Sequence, residues 1–422
     1  MSSQDLSVSI ASSLSAVDAA EWDACACPDG AGPCSVRMPL RDPAAPRPVL
    51  AEDDDEAELP SPPDPDNPFV RHAFLLNLEE SGSAVTRTGW QPVHVLVNDA
   101  SGALLACAPA YLKGHSQGEY VFDHSWADAY ERAGGRYYPK VQVSVPFTPA
   151  TGRRLLVRPG ERAEEARAAL VEGLRALRAQ AKASTIHATF LPRDEWDDLG
   201  ARGFLQRTDQ QFHWLNAGYA TYDDFLGDLA SRKRKALKKE RREALASGLT
   251  IERLTGADIR EEHWDAFFAF YMDTGSRKWG RPYLTRTFFS LVGERMADRT
   301  LLVMARREGR YVAGAINFIG ANTLYGRNWG CIEHHPYLHF EVCYHQAIDF
   351  AIERGLARVE AGAQGEHKLA RGYRPVTTYS AHDIPDPGFR RAVADYLMRE
   401  RRHVAALQDE LVEMAPFRKA GG

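Results

Sequence analysis

At 422 residues the chain exceeds one ordinary hydrophobic core, and two domains of roughly 200 residues each are expected. Its 44% hydrophobic and 26% charged content is that of a globular protein, and a net charge of −5 excludes a global pull toward nucleic acid or anionic membrane. Six scattered cysteines exclude a disulfide framework, and no apolar run approaches the roughly 18 residues of a spanning helix. The N-terminus MSSQDLSVSIASS lacks the basic and apolar regions of a signal peptide, so a cytoplasmic protein without an integral membrane segment is expected.

In chain order, Leu6–Ala11 reads as a strand and Ala16–Ala24 as a helix. Residues 28–68 then hold eleven prolines, and Glu52–Glu58 is acidic at six of seven positions. Such a composition cannot bury a core, so residues 25–66 are expected to form a mobile insertion. Cys25, Cys27 and Cys34 lie in it as C-x-C-x6-C, but no fourth ligand follows; reduced surface thiols are expected rather than a zinc site. A helix at Phe69–Glu80 resumes the ordered sequence.

The two halves then repeat each other. Val95–Leu112 lies over Leu302–Ile319 at an offset of 207, with Gly102 on Gly309, and each segment reads as a β-hairpin turning at its glycine. Trp22-Asp23-Ala24 parallels Trp264-Asp265-Ala266, and Tyr120–Trp126 parallels Thr323–Trp329. A helix (Glu161–Lys182) and a strand (Ser184–Phe190) follow the first hairpin. The second is followed by a helix at Leu338–Arg354, closed by Gly355, and a strand at Arg358–Ala361. This order predicts a duplicated α/β domain: residues 1–217, then 218–387, with a charged helix in 388–422.

Four stretches carry candidate chemistry. Ser231–Arg242 holds eight basic residues and one acid in twelve, including Lys233, Lys238 and Arg242. It is either a solvated amphipathic face or a phosphate-contacting patch. His334, His335, His339, Glu341 and His345 contain i,i+4 pairs but no H-E-x-x-H, so no metal site is expected. Tyr120, Asp123, Trp126 and Lys140 stand in a stretch where aromatic and charged residues interleave, either as an aromatic core edge with solvated charges or as a groove for an extended sugar-peptide; Lys278 and Trp279 form either a counterpart in the second half or a structural connection. Finally, Glu360–Tyr373 (EAGAQGEHKLARGY) gathers Glu360, His367, Lys368 and Arg371 among three glycines directly after a strand, where α/β folds build sites.

The segments GEYVFDHSWADAYERAGGRYYPK (118–140), SRKRKALKKERREALASG (231–248), TGSRKWGRPY (274–283), Tyr325–Glu341 and Glu360–Tyr373 resemble the FemAB-like proteins of the GNAT acyltransferase superfamily. Nearly the whole chain shares the resemblance. It implies two tandem GNAT-like domains, each a mixed central sheet flanked by helices, with the second one catalytic. It also implies N-acyl transfer to a small-molecule or peptide amine such as a cell-wall precursor, with no tightly bound cofactor. The donor would be aminoacyl-tRNA, contacted through 231–242, or acyl-CoA, and Tyr325, Arg327, Trp329, His339 and Glu341 would lie beside it. Two departures stand out. The long helical hairpin of some Fem enzymes is missing between Gly248 and Trp264. The GNAT pyrophosphate loop keeps only Arg327 and Gly330 of its pattern. An acyl-CoA-dependent N-acetyltransferase and a non-catalytic peptidoglycan-recognition or scaffold module are therefore the alternatives.

Overall fold

The computed structural model describes residues 6–41, 64–278, 282–362 and 365–418. The first half contributes strands β1 (Ser7–Ala11), β2 (Trp90–Pro92), β3 (His94–Asn98), β4 (Leu104–Ala108), β5 (Ala110–Lys113), β6 (Lys140–Val143), β7 (Leu156–Val157), β8 (Ile186–Leu191) and β9 (Leu205–Leu215). The second contributes β10 (Thr250–Thr255), β11 (Thr300–Arg307), β12 (Arg310–Ile319), β13 (Thr323–Cys331), β14 (Arg358–Glu360) and β15 (Arg374–Asp383).

A small sheet has the order β1-β3-β4-β7, and a large mixed sheet runs β10-β11-β12-β13-β14-β9-β15-β8-β6-β5-β2. Pro109 interrupts the strand between β4 and β5 and passes it from the small sheet to the large one, because proline cannot donate to the ladder. Both expected hairpins are present as the antiparallel pairs β3–β4 and β11–β12, and Gly102 and Gly309 both take positive φ in their turns. Each half also has one parallel pair, β6–β8 or β13–β14, reached across a helix at Ala163–Gln180 or Leu338–Arg354. Strands β9 and β15 were not foreseen. Each lies between two strands of the other half.

The cores follow from this layering. Trp22 and Trp264 are both buried, as their matched positions suggest, and the Trp22 indole donates to the Val70 carbonyl at 2.8 Å. Phe69 and Phe74 of the first half pack edge-on against Phe318, and Phe69 also meets Tyr325, so one aromatic core spans both halves. The helix Leu338–Arg354 covers the opposite face of β11–β14. It opens as an α-turn at Leu338–Phe340, passes through a π-helical segment at Glu341–His345 and continues as α-helix at Gln346–Arg354. Gly355 closes it at φ 67°, its N–H bonding back to Ile352. The C-terminal helix, Pro387–Glu413, buries Phe389, Val393 and Leu397, and its Glu400 pairs bidentately with Arg207 of β9.

Three expectations need correction. Thr323–Trp329 lies in β13, but Tyr120–Trp126 runs from irregular chain into a helix at His124–Arg132; the strand matching β13 is β6, displaced by an insertion. Cys25 and Cys27 are buried in the aromatic core, not surface thiols. The expected mobility of 25–66 falls largely on residues outside those described, whereas 25–41 and 64–66 are placed against the body of the protein.

Candidate functional site

The parallel pair β13–β14 is hydrogen-bonded in register only from Thr323↔Arg358 to Tyr325↔Glu360. Beyond that point β13 continues to Cys331 along β12, while β14 ends and the chain turns away at Gly362 (φ 77°). The two strands therefore splay. On β13 the splay coincides with a bulge: Ala315 faces Trp329 and Asn317 faces Gly326, which puts Arg327 and Asn328 opposite Ile316 alone. Bulges of this kind re-aim side chains beside active sites.

Glu360 sits at the apex of the splay. It is buried, and one carboxylate oxygen has no hydrogen-bond partner. His213 lies opposite it in the β14–β9 register, with its Nε2 3.8 Å from that oxygen. Burial pushes the Glu360 carboxyl up to about 7; Arg358 opposes the rise and Asp64 adds to it. Burial holds His213 well below the usual imidazole range, so it is neutral. Lys368 is also buried, donates to the Gly362 carbonyl at 2.9 Å, and is drawn by burial down to about 8. Glu360 thus ends β14, and Lys368 bonds the loop that follows it.

The other two residues expected to do chemistry in that segment have different surroundings. The His367 Nε2 lies 2.8 Å from the Tyr344 hydroxyl, in an aromatic group with His339 and Phe340. The Arg371 guanidinium is held by both oxygens of Glu240 at 2.9 and 2.6 Å and stacks 3.4 Å from the Phe340 ring centroid. Glu240 also accepts from His345 Nε2 at 2.8 Å. A carboxylate can only accept, so that nitrogen carries the proton, and His345 Nδ1 receives the Tyr222 hydroxyl at 2.6 Å. Next to it Arg241 clamps Glu341 at 3.1 and 2.9 Å and Asp349 at 2.6 Å. Glu341, expected beside the donor, is fully buried in this network. Glu240, Tyr222 and Tyr344 were missed by sequence reasoning. For Glu240 the signal was present, since it lies three residues after the buried Leu237 and four before the buried Ala244.

Trp329 and His339 line a cavity of about 250 Å³ with Thr274, Cys331, Glu333 and His335, at the outer end of β13. The helix beginning at Leu338 is expected to offer free N–H groups to a phosphate there. Instead, Leu338 N–H bonds the His335 carbonyl, and those of Phe340 and Glu341 bond the Tyr337 carbonyl. Tyr325 is buried on β13, and its hydroxyl donates to Asp64 at 3.2 Å. Arg327 donates to the Phe147 carbonyl across the junction of the halves and has Tyr120, Glu360 and Tyr271 as electrostatic neighbours. Lys233, Lys238 and Arg242 are exposed on the outer face of the helix Ser231–Leu245, whose inner face carries Leu237, Glu240 and Ala244.

Asp123 and Lys140 do not line an open groove. Lys140 is fully buried and donates to Asp123, to Glu119 at 2.7 Å and to Ser116 at 2.8 Å, while the Tyr137 hydroxyl donates to Asp123 at 2.6 Å. Although burial opposes it, Lys140 and His187 hold the Asp123 carboxyl below the usual carboxylate range. Trp126 is buried edge-on against His382 at 4.9 Å. Trp279 lies outside the described residues, as does the Lys278 side chain. Among the described residues, no group of three or more His, Cys, Asp or Glu is placed to hold a metal, and no helix is long and apolar enough to cross a membrane.

Among solved structures the chain is similar to FemX, with 13% identity, a TM-score of 0.50, and coverage of 78% of this chain and 96% of that one. It also matches L-PGS from Bacillus licheniformis at 10% identity and a TM-score of 0.47, covering 76% and 95%. A tandem GNAT protein from the clavulanic acid biosynthesis pathway matches at 12% identity and a TM-score of 0.45, covering 91% and 99%. No curated protein matches by sequence. The fold is α/β with mixed sheets, and FemX shares it. A family model described as peptidoglycan biosynthesis/recognition matches residues 13–419, and the chain belongs to this FemAB-like family.

Proposed function

We propose that the protein is a GNAT-fold N-acyltransferase that moves an acyl or aminoacyl group to an amine of a cell-wall precursor or other peptide, in the splay between β13 and β14. The observation that carries this reading is Glu360: a buried carboxyl with an unpaired oxygen and a pKa near neutrality, at the point where two parallel strands separate. An amine acceptor has an ordinary pKa of about 10.4 and must lose a proton before it can attack. A carboxyl tuned close to neutral pH suits that proton transfer. Attack on the donor carbonyl then builds a tetrahedral oxyanion. Lys368, a buried cation near the same loop, offsets its charge. Collapse expels the donor's oxygen or sulfur, which takes up the proton that Glu360 received. The attacking nitrogen sheds its second proton through the freed Glu360 carboxylate to solvent as it becomes the amide. Arg371, already neutralised by Glu240, holds the Glu366–Arg371 turn in place.

In this reading residues 218–387 do the chemistry, and residues 1–217 supply acceptor contacts through Tyr120 where the halves meet. Two observations favour aminoacyl-tRNA over acyl-CoA as donor. Three of the helix N–H groups that would cradle a pyrophosphate, those of Leu338, Phe340 and Glu341, are already bonded to the His335 and Tyr337 carbonyls. The exposed bases of Ser231–Leu245 offer a face for tRNA phosphates. Charged tRNA pools and acetyl-CoA, each supplied with a nucleotide-linked muropeptide, test this by mass spectrometry. The expected result is deacylation of tRNA with acylated muropeptide, abolished in Glu360→Gln. Consumption of acetyl-CoA alone overturns the tRNA donor. Muropeptide binding without consumption of either donor identifies a recognition module.

A further inference from the structure

The described ends of the Pro-rich insertion cross from the first half onto the second. On the outgoing side, Cys34 and Val36 donate backbone N–H groups to the carbonyls of Gly320 and Ala321 at 3.0 and 3.1 Å. Met38 donates to Gly355 at 2.7 Å and Arg41 to Gly218 at 2.8 Å. On the returning side, Asp64 turns its carboxylate onto the start of β13. One oxygen accepts the backbone N–H groups of Ala321 and Asp66, each at 3.0 Å, and the other accepts the Tyr325 hydroxyl at 3.2 Å. Tyr325 is the residue paired across the sheet with Glu360.

The body of the protein is shaped to receive this carboxylate. A Cβ at Gly320 would stand 1.8 Å from an Asp64 oxygen, so any side chain there expels it. The charged and titratable groups around Glu360 come from every neighbouring element: Arg358 from its own strand, His213 from β9, Tyr325 and Arg327 from β13, Arg154 from the loop before β7, and Asp64 from the insertion. Asp64 is the acid among them. It also competes with Glu360 for Arg358, which interacts with both.

We propose that Asp64 is a positioning residue of the transfer site: the first half's insertion delivers it to the second half, where it fixes Tyr325 and sets the charge environment of Glu360. Its catalytic meaning rests on Glu360 being the base, but its effect on Glu360 does not. The test is carbon-13 NMR titration of the Glu360 carboxyl in the full-length protein labelled at glutamate, with the resonance assigned through Glu360→Gln. Two perturbations remove Asp64 by different routes. Asp64→Asn deletes the charge, and Gly320→Ala displaces the carboxylate without altering any ionisable group.

Removing a like charge and freeing Arg358 both favour the ionised form of Glu360. The titration midpoint is therefore expected to fall by about one pH unit in both variants, and less in Tyr325→Phe, which keeps the Asp64 charge. An unchanged midpoint in folded Asp64→Asn and Gly320→Ala overturns the proposal. So does failure of both variants to fold by circular dichroism, which would make Asp64 a folding requirement. If the midpoint falls while the acid limb of kcat/KM stays put, the positioning role stands and Glu360 is not the base.

Discussion

Glu240 and Arg371 give the sharpest quantitative test of how the second half is held together. The pair is nearly dry, with side-chain exposures of 10% and 7%, and makes two charge-assisted hydrogen bonds. Removing one partner of such a pair strands the other charge and costs about 3–5 kcal/mol. Glu240→Ala also strands His345, which gives the carboxylate its third hydrogen bond, so the upper end of that range is expected. Unfolding entropy of about 2.1 cal/mol/K per residue converts this to a fall in Tm of about 3–6 °C for a chain of 422 residues. Urea and thermal unfolding of Glu240→Ala, Arg371→Ala and the double variant measure the coupling directly, and at least 1 kcal/mol is expected. Additivity within about 0.5 kcal/mol would refute the reasoning, because independent sites add. The pH dependence is a second check. Against the push of burial, His345 and Arg371 hold the Glu240 carboxyl below its ordinary 4.5, so its stabilisation is complete above that pH and lost as pH falls through the lower folded value.

Other outcomes follow from the same structure. Glu360→Gln should lower transfer by roughly 10²–10⁴-fold, and the wild-type rate should rise with pH through about 7 as Glu360 ionises. A carboxyl raised on folding binds its proton more tightly in the native state, so it weakens stability as pH rises from 4.5 through about 7. Glu360→Gln should therefore be more stable than wild type at pH 8, on the order of 1–3 kcal/mol by calorimetry. Neutralising Lys233, Lys235 and Arg242 together should leave stability within about 0.5 kcal/mol while flattening the salt dependence of tRNA binding by about 0.7–0.9 per lost phosphate contact. Gly330→Ala places a Cβ 2.2 Å from the Phe270 carbonyl oxygen, which should push the helix Glu261–Lys278 off β13 and lower stability by about 1–3 kcal/mol in urea unfolding.

What the sequence reveals here depends on how local the physics is. The hairpins at 95–112 and 302–319 and the helix ending at Gly355 were legible because a glycine turn, an apolar period and a C-cap act within a few residues. Strands β9 and β15 were not, since their partners lie some 160 residues away and nothing in either segment names them. The Glu360–Tyr373 segment stood out by polar density; its Glu360 ends β14 at the splay, and its Lys368 bonds the Gly362 carbonyl of the loop that follows. Its Arg371 reads as equally chemical in sequence, but its partner, Glu240, is the single acid of the basic run. Charge counting hid what helical phase exposes. The interleaved charges of Asp123 and Lys140 looked solvated for a related reason: pairing lets both be buried, and pairing is invisible along the chain.

The alternation of β14, β9, β15 and β8 across the middle of the large sheet has a consequence for how the protein can be handled and how it can move. Neither half is a detachable part. A fragment ending at 217 would leave β9 without either neighbour, and one starting at 218 would lack the strand that separates β14 from β15. Each would present bare hydrogen-bonding edges, which invite aggregation. The same interlock forbids the halves from opening like a clamp, because doing so would tear the ladder between them. With transfer in the splay, as proposed, substrate entry and product release would fall to the loops around it, and co-expression of separate halves should succeed only where the two chains fold together.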